Sequence, residues 1–348
     1  MTEEEGELIK NADKNDDNLL EKSKTYKKLI IFFVIGLILI LVIIIIILIF
    51  TIFKNDNKKN EKESDSNESN TELDTISKEE FDKARKSFKQ LNYTESDSLK
   101  ILSYNLFIPQ DYSPKEKYPL IMFITDRGLV GKEITAPLTE TVGGPIWATD
   151  TVQKKHKCFV LVSQYNEEVV NGSGNKSEYL NMTLRLISHL EKEYNIDHNR
   201  IYGTGQSMGA MTTLFLLANH DIFAAGLLAD GFWLMEELDG LVNATFTFCA
   251  AEGDLKPFTN QNEIKEYFNS LNIKYGSLDL INARDNVEIL NKDAQKMYDL
   301  GYKYNFISYA KGTVLPPNSE NKSEHMASFK YTYRIDVVRD WLFMQTKE

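Results

Sequence analysis

Cysteine is almost missing from this 348-residue chain, which carries two, Cys158 and Cys249. Both lie in apolar, strand-like runs (KCFVLV and FTFCAA), so buried free thiols are expected and a disulfide framework is not. Cysteine and histidine do not cluster at metal-ligand spacing, so no structural metal is expected, and nothing in the sequence implies a cofactor. Dense Lys/Arg tracts are absent from the globular part and the formal net charge is −11, a balance that argues against nucleic acid as a partner. There is no internal repeat. A short apolar run followed by a small-residue cleavage site is also missing, so a cleaved signal peptide is not expected.

The chain does contain abundant apolar and aromatic residues. Hydrophobic residues make up 42%, with 19 Phe and 17 Tyr, ample for a large core. Residues 1–28 are polar and read as a tail without hydrophobic period. From Leu29 to Phe53 there are 25 consecutive uncharged residues, most of them Ile, Leu, Val or Phe. As a helix rising about 1.5 Å per residue that run reaches about 37 Å, long enough for a single transmembrane helix. Lysines before the span (Lys10, Lys14, Lys22, Lys24, Lys27, Lys28) outnumber those just after it (Lys54, Lys58, Lys59, Lys62), which favours a cytoplasmic N-terminus and an external C-terminal part. Seven N-x-S/T sequons follow the span, at Asn67, Asn92, Asn171, Asn175, Asn181, Asn243 and Asn321, in keeping with that side. Residues 54–80 are charged and polar and read as a flexible stalk. Residues 81–348 are then the folded domain.

In that domain, strand-like and helical patterns alternate. LKILSYNLFIP, YPLIMFIT, KCFVLVSQ, FAAGLLAD, ATFTFCAA and YNFISYA read as strands. Asn181–Tyr194, Ile264–Leu271, Ala294–Leu300 and Ile335–Phe343 read as helices. The alternation predicts an α/β fold with a mostly parallel central sheet and helices on both faces.

The stretch RIYGTGQSMGAMTTL organises the rest. Gly205, Gln206, Ser207, Met208 and Gly209 form G-x-S-x-G between a β-type run (Arg200, Ile201, Tyr202) and a helical one (Met211, Leu214, Phe215, Ala218), the setting of a nucleophile elbow. A serine hydroxyl needs a histidine to take its proton and an acid to orient that histidine, in the chain order Ser, acid, His. Only His220 and His325 follow Ser207. His220 is at the far end of the helix Ser207 opens, about 20 Å away. His325, in a loop between the last strand and the last helix, is therefore the expected base. Asp254 and Asp230, each just past a strand, are candidates for the acid, with Asp254 preferred and Glu252 third. The oxyanion hole is expected from the backbone N–H of Met208 and from the loop after YPLIMFI, at Asp126 and Arg127.

Residues from about Leu99 to Gln345 resemble the α/β-hydrolase family of "predicted peptidases" and esterases, close to feruloyl-esterase and polyhydroxyalkanoate-depolymerase-type enzymes. The stretches that carry the resemblance are YNLFIPQDYSPKEKYPLIMFI, PIWATDTVQKKHKCFVLVSQY, NRIYGTGQSMGAM, FAAGLLADGFW, AEGDLKPF, KGTVLP and EHMASFKYTYRIDVVRDWLFMQ. The resemblance implies Ser207 as nucleophile, Asp254 as acid and His325 as base. One departure is local. Thr125 stands where such oxyanion loops usually begin with histidine, and Arg127 where a small residue is common. The stretch from Lys274 to Tyr304 reads as a lid or as an insertion that only packs.

These readings converge on a membrane-anchored serine hydrolase of small-molecule or glycan-linked esters. A peptidase with the same triad is the second reading, and a hydrolase-like binding module disabled at the oxyanion loop is the third.

Overall fold

The structure, a computed structural model, describes residues 75–95, 100–320 and 322–347. The predicted tail, the apolar span of residues 29–53 and most of the stalk lie outside them. Among the described residues no helix is long and apolar enough to cross a membrane.

Nine strands form one sheet: β1 (Lys89–Thr94), β2 (Ile101–Phe107), β3 (Tyr118–Ile124), β4 (Phe159–Gln164), β5 (Ile196–Gln206), β6 (Ala225–Ala229), β7 (Phe246–Ala251), β8 (Gly276–Ile281) and β9 (Tyr304–Tyr309). Their spatial order is β1-β2-β4-β3-β5-β6-β7-β9-β8. β1 and β2 are antiparallel, β2 runs antiparallel to β4, and every pair from β4 to β8 across the rest of the sheet is parallel. Parallel strands need crossovers, and helices that supply them cover both faces.

The helices are α1 (Lys78–Lys86), α2 (Ala136–Thr139), α3 (Asp150–Lys155), α4 (Glu178–Glu193), α5 (Met208–Asn219), α6 (Leu255–Ser270), α7 (Val287–Tyr298), α8 (His325–Arg334) and α9 (Asp336–Phe343). The period of two along each strand divides the core between the faces. In β3, Leu120, Met122 and Ile124 join α4, α5 and α6 on one face. Ile121 and Phe123 join α1, α3, α7, α8 and α9 on the other. Cys158 and Cys249 are buried free thiols in the second layer, as their apolar context predicts. Helix α5 is buried along nearly its whole length, from Met208 to Leu217.

Two local readings need correction, and one left open between two alternatives falls to the packing one. The folded part begins before Phe81: Ile76 is only 2% exposed and belongs to the second core, while the Ser77 hydroxyl accepts the Glu80 N–H and caps α1. Residues 75–80 are therefore part of the domain and not of the stalk. The stretch from Lys274 to Tyr304 is not a lid. Its β8 pairs in parallel with β9, and Leu290, Ala294, Met297 and Tyr298 of α7 pack on the sheet, so it extends the βαβ layer at one edge. Only one of the six residues of β8 is fully buried, so the strand lacks an apolar period. Its register slips between Leu278 and Ile281, where Leu280 takes a φ of 54°. Thirdly, His325 opens helix α8 and does not sit in a loop.

A chain beginning at Phe81 loses the burial of Ile76 and the Ser77 cap, together roughly 2–4 kcal/mol. It is expected to unfold at a lower urea midpoint than a chain beginning at Glu72, with a similar slope, as followed by circular dichroism.

Candidate active site

β5 runs up the middle of the sheet and breaks at Ser207 into α5. Ser207 takes φ 50° and ψ −115°, a conformation an L-residue adopts only under constraint. Packing at the end of β3 supplies the constraint. A Cβ on Gly209 would stand 1.8 Å from the Ile124 carbonyl oxygen, and one on Gly205 would stand 2.4 Å from the Gly209 carbonyl carbon. Two glycines are needed because three backbone segments touch there. The Ser207 N–H donates to the Ala229 carbonyl at 2.9 Å, and its own carbonyl accepts the Met211 N–H at 2.8 Å. The hydroxyl is thereby held at the carboxyl end of the sheet.

Three of the predicted side chains meet there. His325 Nε2 is 2.8 Å from Ser207 Oγ, and His325 Nδ1 is 2.5 Å from Asp254 Oδ2. Asp254 stands between β7 and α6 and makes no side-chain cap on its own helix, so its carboxylate is free to face the imidazole. Burial pulls the His325 pKa down, but the hydrogen bond and charge of Asp254, backed by the charges of Asp230 and Asp126, outweigh it and hold the pKa above the ordinary histidine value. The other four histidines are elsewhere. His156 pairs with Asp340 and stacks on Phe343, His189 and His198 meet Glu193 and Glu191, and His220 follows the last turn of α5.

The two rival acids have different partners. Glu252 Oε2 accepts the Lys311 N–H at 2.8 Å. Asp230 is fully buried behind the base: Oδ1 accepts the Ala251 N–H at 2.8 Å, and Oδ2 lies 2.6 Å from the Ser328 hydroxyl of α8. Burial pushes the Asp230 carboxyl up to about 7, opposed by those two hydrogen bonds.

The predicted oxyanion donors lead two helical turns. Met208 is the first residue of α5, and Arg127 is the first residue of a 3₁₀ turn over Arg127–Leu129. The first N–H of such a turn has no acceptor within the turn itself. The Asp126 side chain braces the loop: Oδ1 accepts the Gly128 N–H at 2.8 Å, and Oδ2 accepts from Gln206 Nε2 at 2.7 Å and from Thr125 Oγ1 at 3.2 Å. Gln206, the variable residue before the nucleophile, thus ties elbow to loop, a role its position in G-x-S-x-G does not reveal. The Arg127 side chain is 74% exposed and turns to Glu168, with Nε–Oε1 at 3.3 Å. Thr125 is buried.

The described structure is similar to a thermostable esterase, with a TM-score of 0.59 and 23% sequence identity over 76% of this chain. The fold is α/β-hydrolase-like. This chain spans 64% of that esterase's length. Fainter similarities, at TM-scores of 0.44 and 0.46, are to a feruloyl esterase module from Clostridium thermocellum complexed with sinapinate and to S-formylglutathione hydrolase from Staphylococcus aureus. The first is 12% identical over 72% of this chain and 87% of its own, the second 10% identical over 74% and 98%. Residues 174–284, about a third of the chain, match the prolyl oligopeptidase family; the stretch contains Ser207 and Asp254 and ends before His325. No curated protein sequence matches the chain.

The buried Asp230 gives a pH test of stability. Its folded pKa, about 7, lies above the value of an exposed aspartate, so between about 4 and 7 the folded protein retains a proton that the unfolded chain has lost. Stability from this group therefore falls as pH rises through that window. Asp230→Asn keeps the shape and an acceptor for Ala251 N–H, and is expected to flatten that part of the urea midpoint against pH.

Proposed function

We propose that this chain hydrolyses carboxylic esters through an acyl-enzyme on Ser207. The observation that carries the reading is the hydrogen-bonded series Ser207 Oγ, His325 Nε2, His325 Nδ1 and Asp254 Oδ2, at 2.8 and 2.5 Å. Ser207 Oγ attacks the ester carbonyl while His325 Nε2 takes its proton, and Asp254 holds the imidazole in orientation and offsets the charge that forms. The carbonyl oxygen becomes an oxyanion near the Met208 and Arg127 N–H groups. Collapse expels the alcohol, which receives the proton from His325. Water, deprotonated by the same imidazole, then releases the acid and restores Ser207.

Two apolar side chains flank this machinery in sequence. Leu255, 73% exposed, follows Asp254, and Met326, 54% exposed, follows His325. Uncharged groups beside both acid and base suit a substrate that is apolar near the scissile bond, and an ester of small-molecule or glycan type fits that description. A peptidase is the second reading, favoured by the prolyl oligopeptidase match over the elbow and the acid. An amide nitrogen leaves only when protonated, so this reading asks more of His325 as general acid.

The same proposal places residues 29–53 across a membrane, with residues 1–28 in the cytoplasm and the hydrolase unit outside. Its support is the length of the uncharged run and the lysine balance around it. The full chain is expected to stay in the membrane pellet after alkaline carbonate extraction. Release into the supernatant would contradict the anchor.

The test of the chemistry is a fluorophosphonate probe on the full-length protein. Wild type is expected to label, and Ser207→Ala not at all. His325→Ala and Asp254→Asn are expected to lose about 10⁴-fold or more in kcat. An ester and an amide sharing one acyl group should then show kcat/KM strongly in favour of the ester; parity would favour the peptidase, and no labelling of folded wild type would overturn both.

A further inference from the structure

Glu324 stands immediately before His325, yet its side chain faces away from the proton-transfer series. The carboxylate is buried, at 3% exposure, and it reaches backbone groups on two other strand exits. Oε2 accepts the Gly253 N–H at 3.2 Å, and Oε1 accepts the Gly312 N–H at 2.7 Å. Gly253 in turn stands immediately before Asp254. The segment that carries the acid and the segment that carries the base are therefore joined twice, one residue apart: first through Glu324 and the Gly253 backbone, then through His325 Nδ1 and Asp254.

The fit around this contact is close. A Cβ on Gly253 would come within 2.2 Å of the Glu324 carboxyl carbon, so the turn between β7 and α6 can lie against the carboxylate only if residue 253 is glycine. Glu324 is also the N-cap of α8 and makes no side-chain bond to its own helix. The ordinary local task of a capping side chain is given up for two long-range acceptors. Glu252 completes the arrangement by accepting the Lys311 N–H, so the successive N–H groups of Lys311 and Gly312 after β9 are held by one carboxylate from each side. Behind the base, the Ser328 hydroxyl lies 2.7 Å from the His325 carbonyl and 2.6 Å from Asp230. The first turn of α8 is thus anchored in front by Glu324 and behind by Ser328.

We propose that Glu324 is a positioning residue for the triad, setting the register between the Asp254 turn and the first turn of α8. It acts through backbone N–H groups and touches neither the reacting atoms nor the substrate. Two acceptor oxygens are required. Glutamine would keep one and turn an N–H₂ donor toward the other backbone N–H, leaving a buried donor unpaired. Alanine would leave both unpaired.

This inference rests on the reading of Ser207, His325 and Asp254 given above, and its test separates the two. The titratable groups that face His325 are Asp254, Asp230 and Asp126, and Asp254 acts through the contact that Glu324 is proposed to set. Glu324→Gln and Glu324→Ala are expected to lower kcat roughly 10- to 100-fold with little change in KM, since a misplacement of about 1 Å costs on that order. They should also move the acid limb of kcat/KM to lower pH, because a looser Asp254 contact no longer holds the imidazole pKa up. Gly253→Ala, which displaces the carboxylate without removing it, should give the same signature and serves where a Glu324 variant does not fold. Active sites are counted with the fluorophosphonate, so that kcat refers to competent protein. Wild-type kcat per titrated site with an unmoved acid limb would overturn the proposal, whether or not fewer sites survive. Failure of wild type itself to label would instead refute Ser207 as nucleophile, and this inference with it.

Discussion

Three strands of backbone meet at the end of β3, and their approach governs the rest of the site. The Ile124 carbonyl lies against Gly209, and Gly209 lies against Gly205. No side chain fits at either glycine, so β5 cannot continue straight and α5 must begin at once, with Ser207 in a strained conformation between them. The strain is tolerable because α5 is buried along nearly its whole length between β5, β6 and the loops above. A helix so apolar has no alternative surface to present to water, so its burial holds the elbow in place. From that point outward, positions are dictated by strand exits: β3 brings the oxyanion loop, β7 the acid, and the chain beyond β9 the base.

A second constraint is electrostatic. Asp126, Asp230 and Asp254 surround one imidazole, Glu324 holds the backbone beside it, and all but Asp254 are buried. Each is matched to backbone N–H groups, hydroxyls, an amide or the imidazole. Such donors satisfy the oxygens without cancelling the field, and the negative potential that remains favours the imidazolium over the neutral ring. In the proposed reaction the same field would stabilise the imidazolium that forms when His325 takes the serine proton. Asp230 answers the same crowding differently: fully buried, it holds its proton up to about pH 7.

Much of this was legible in the sequence because it is encoded locally. The elbow shows in five adjacent residues, since the steric demand falls on positions two before and two after the serine. The β3, β4 and β7 strands show as continuous apolar runs, since both their faces are covered. The chain order of nucleophile, acid and base left His220 and His325, and helix length removed His220. What escaped is encoded at long range. Glu324 reaches a glycine 71 residues away, and nothing in SEHMAS marks that reach. The same lack of a local cap signal hid the start of α8 at His325. Gln206 occupies a position the elbow leaves variable, and its bond to Asp126 follows only from the parallel register of β3 on β5. β8 is half-exposed, so its sequence lacks the pattern that betrays an interior strand.

That outermost strand has one more effect. With β8 laddered along it, β9 is an interior strand, hydrogen-bonded on both sides, and the segment leading to the base departs from a root gripped by two neighbours. The unpaired rim of the sheet is handed to β8, which is poorly suited to recruit another strand. Leu280 breaks its pleat with a left-handed φ, and Asp279, ion-paired to Lys265, puts charge on the border. The insertion after the acid therefore protects the molecule twice, against flexing at the root of the base and against edge-to-edge association with its own copies.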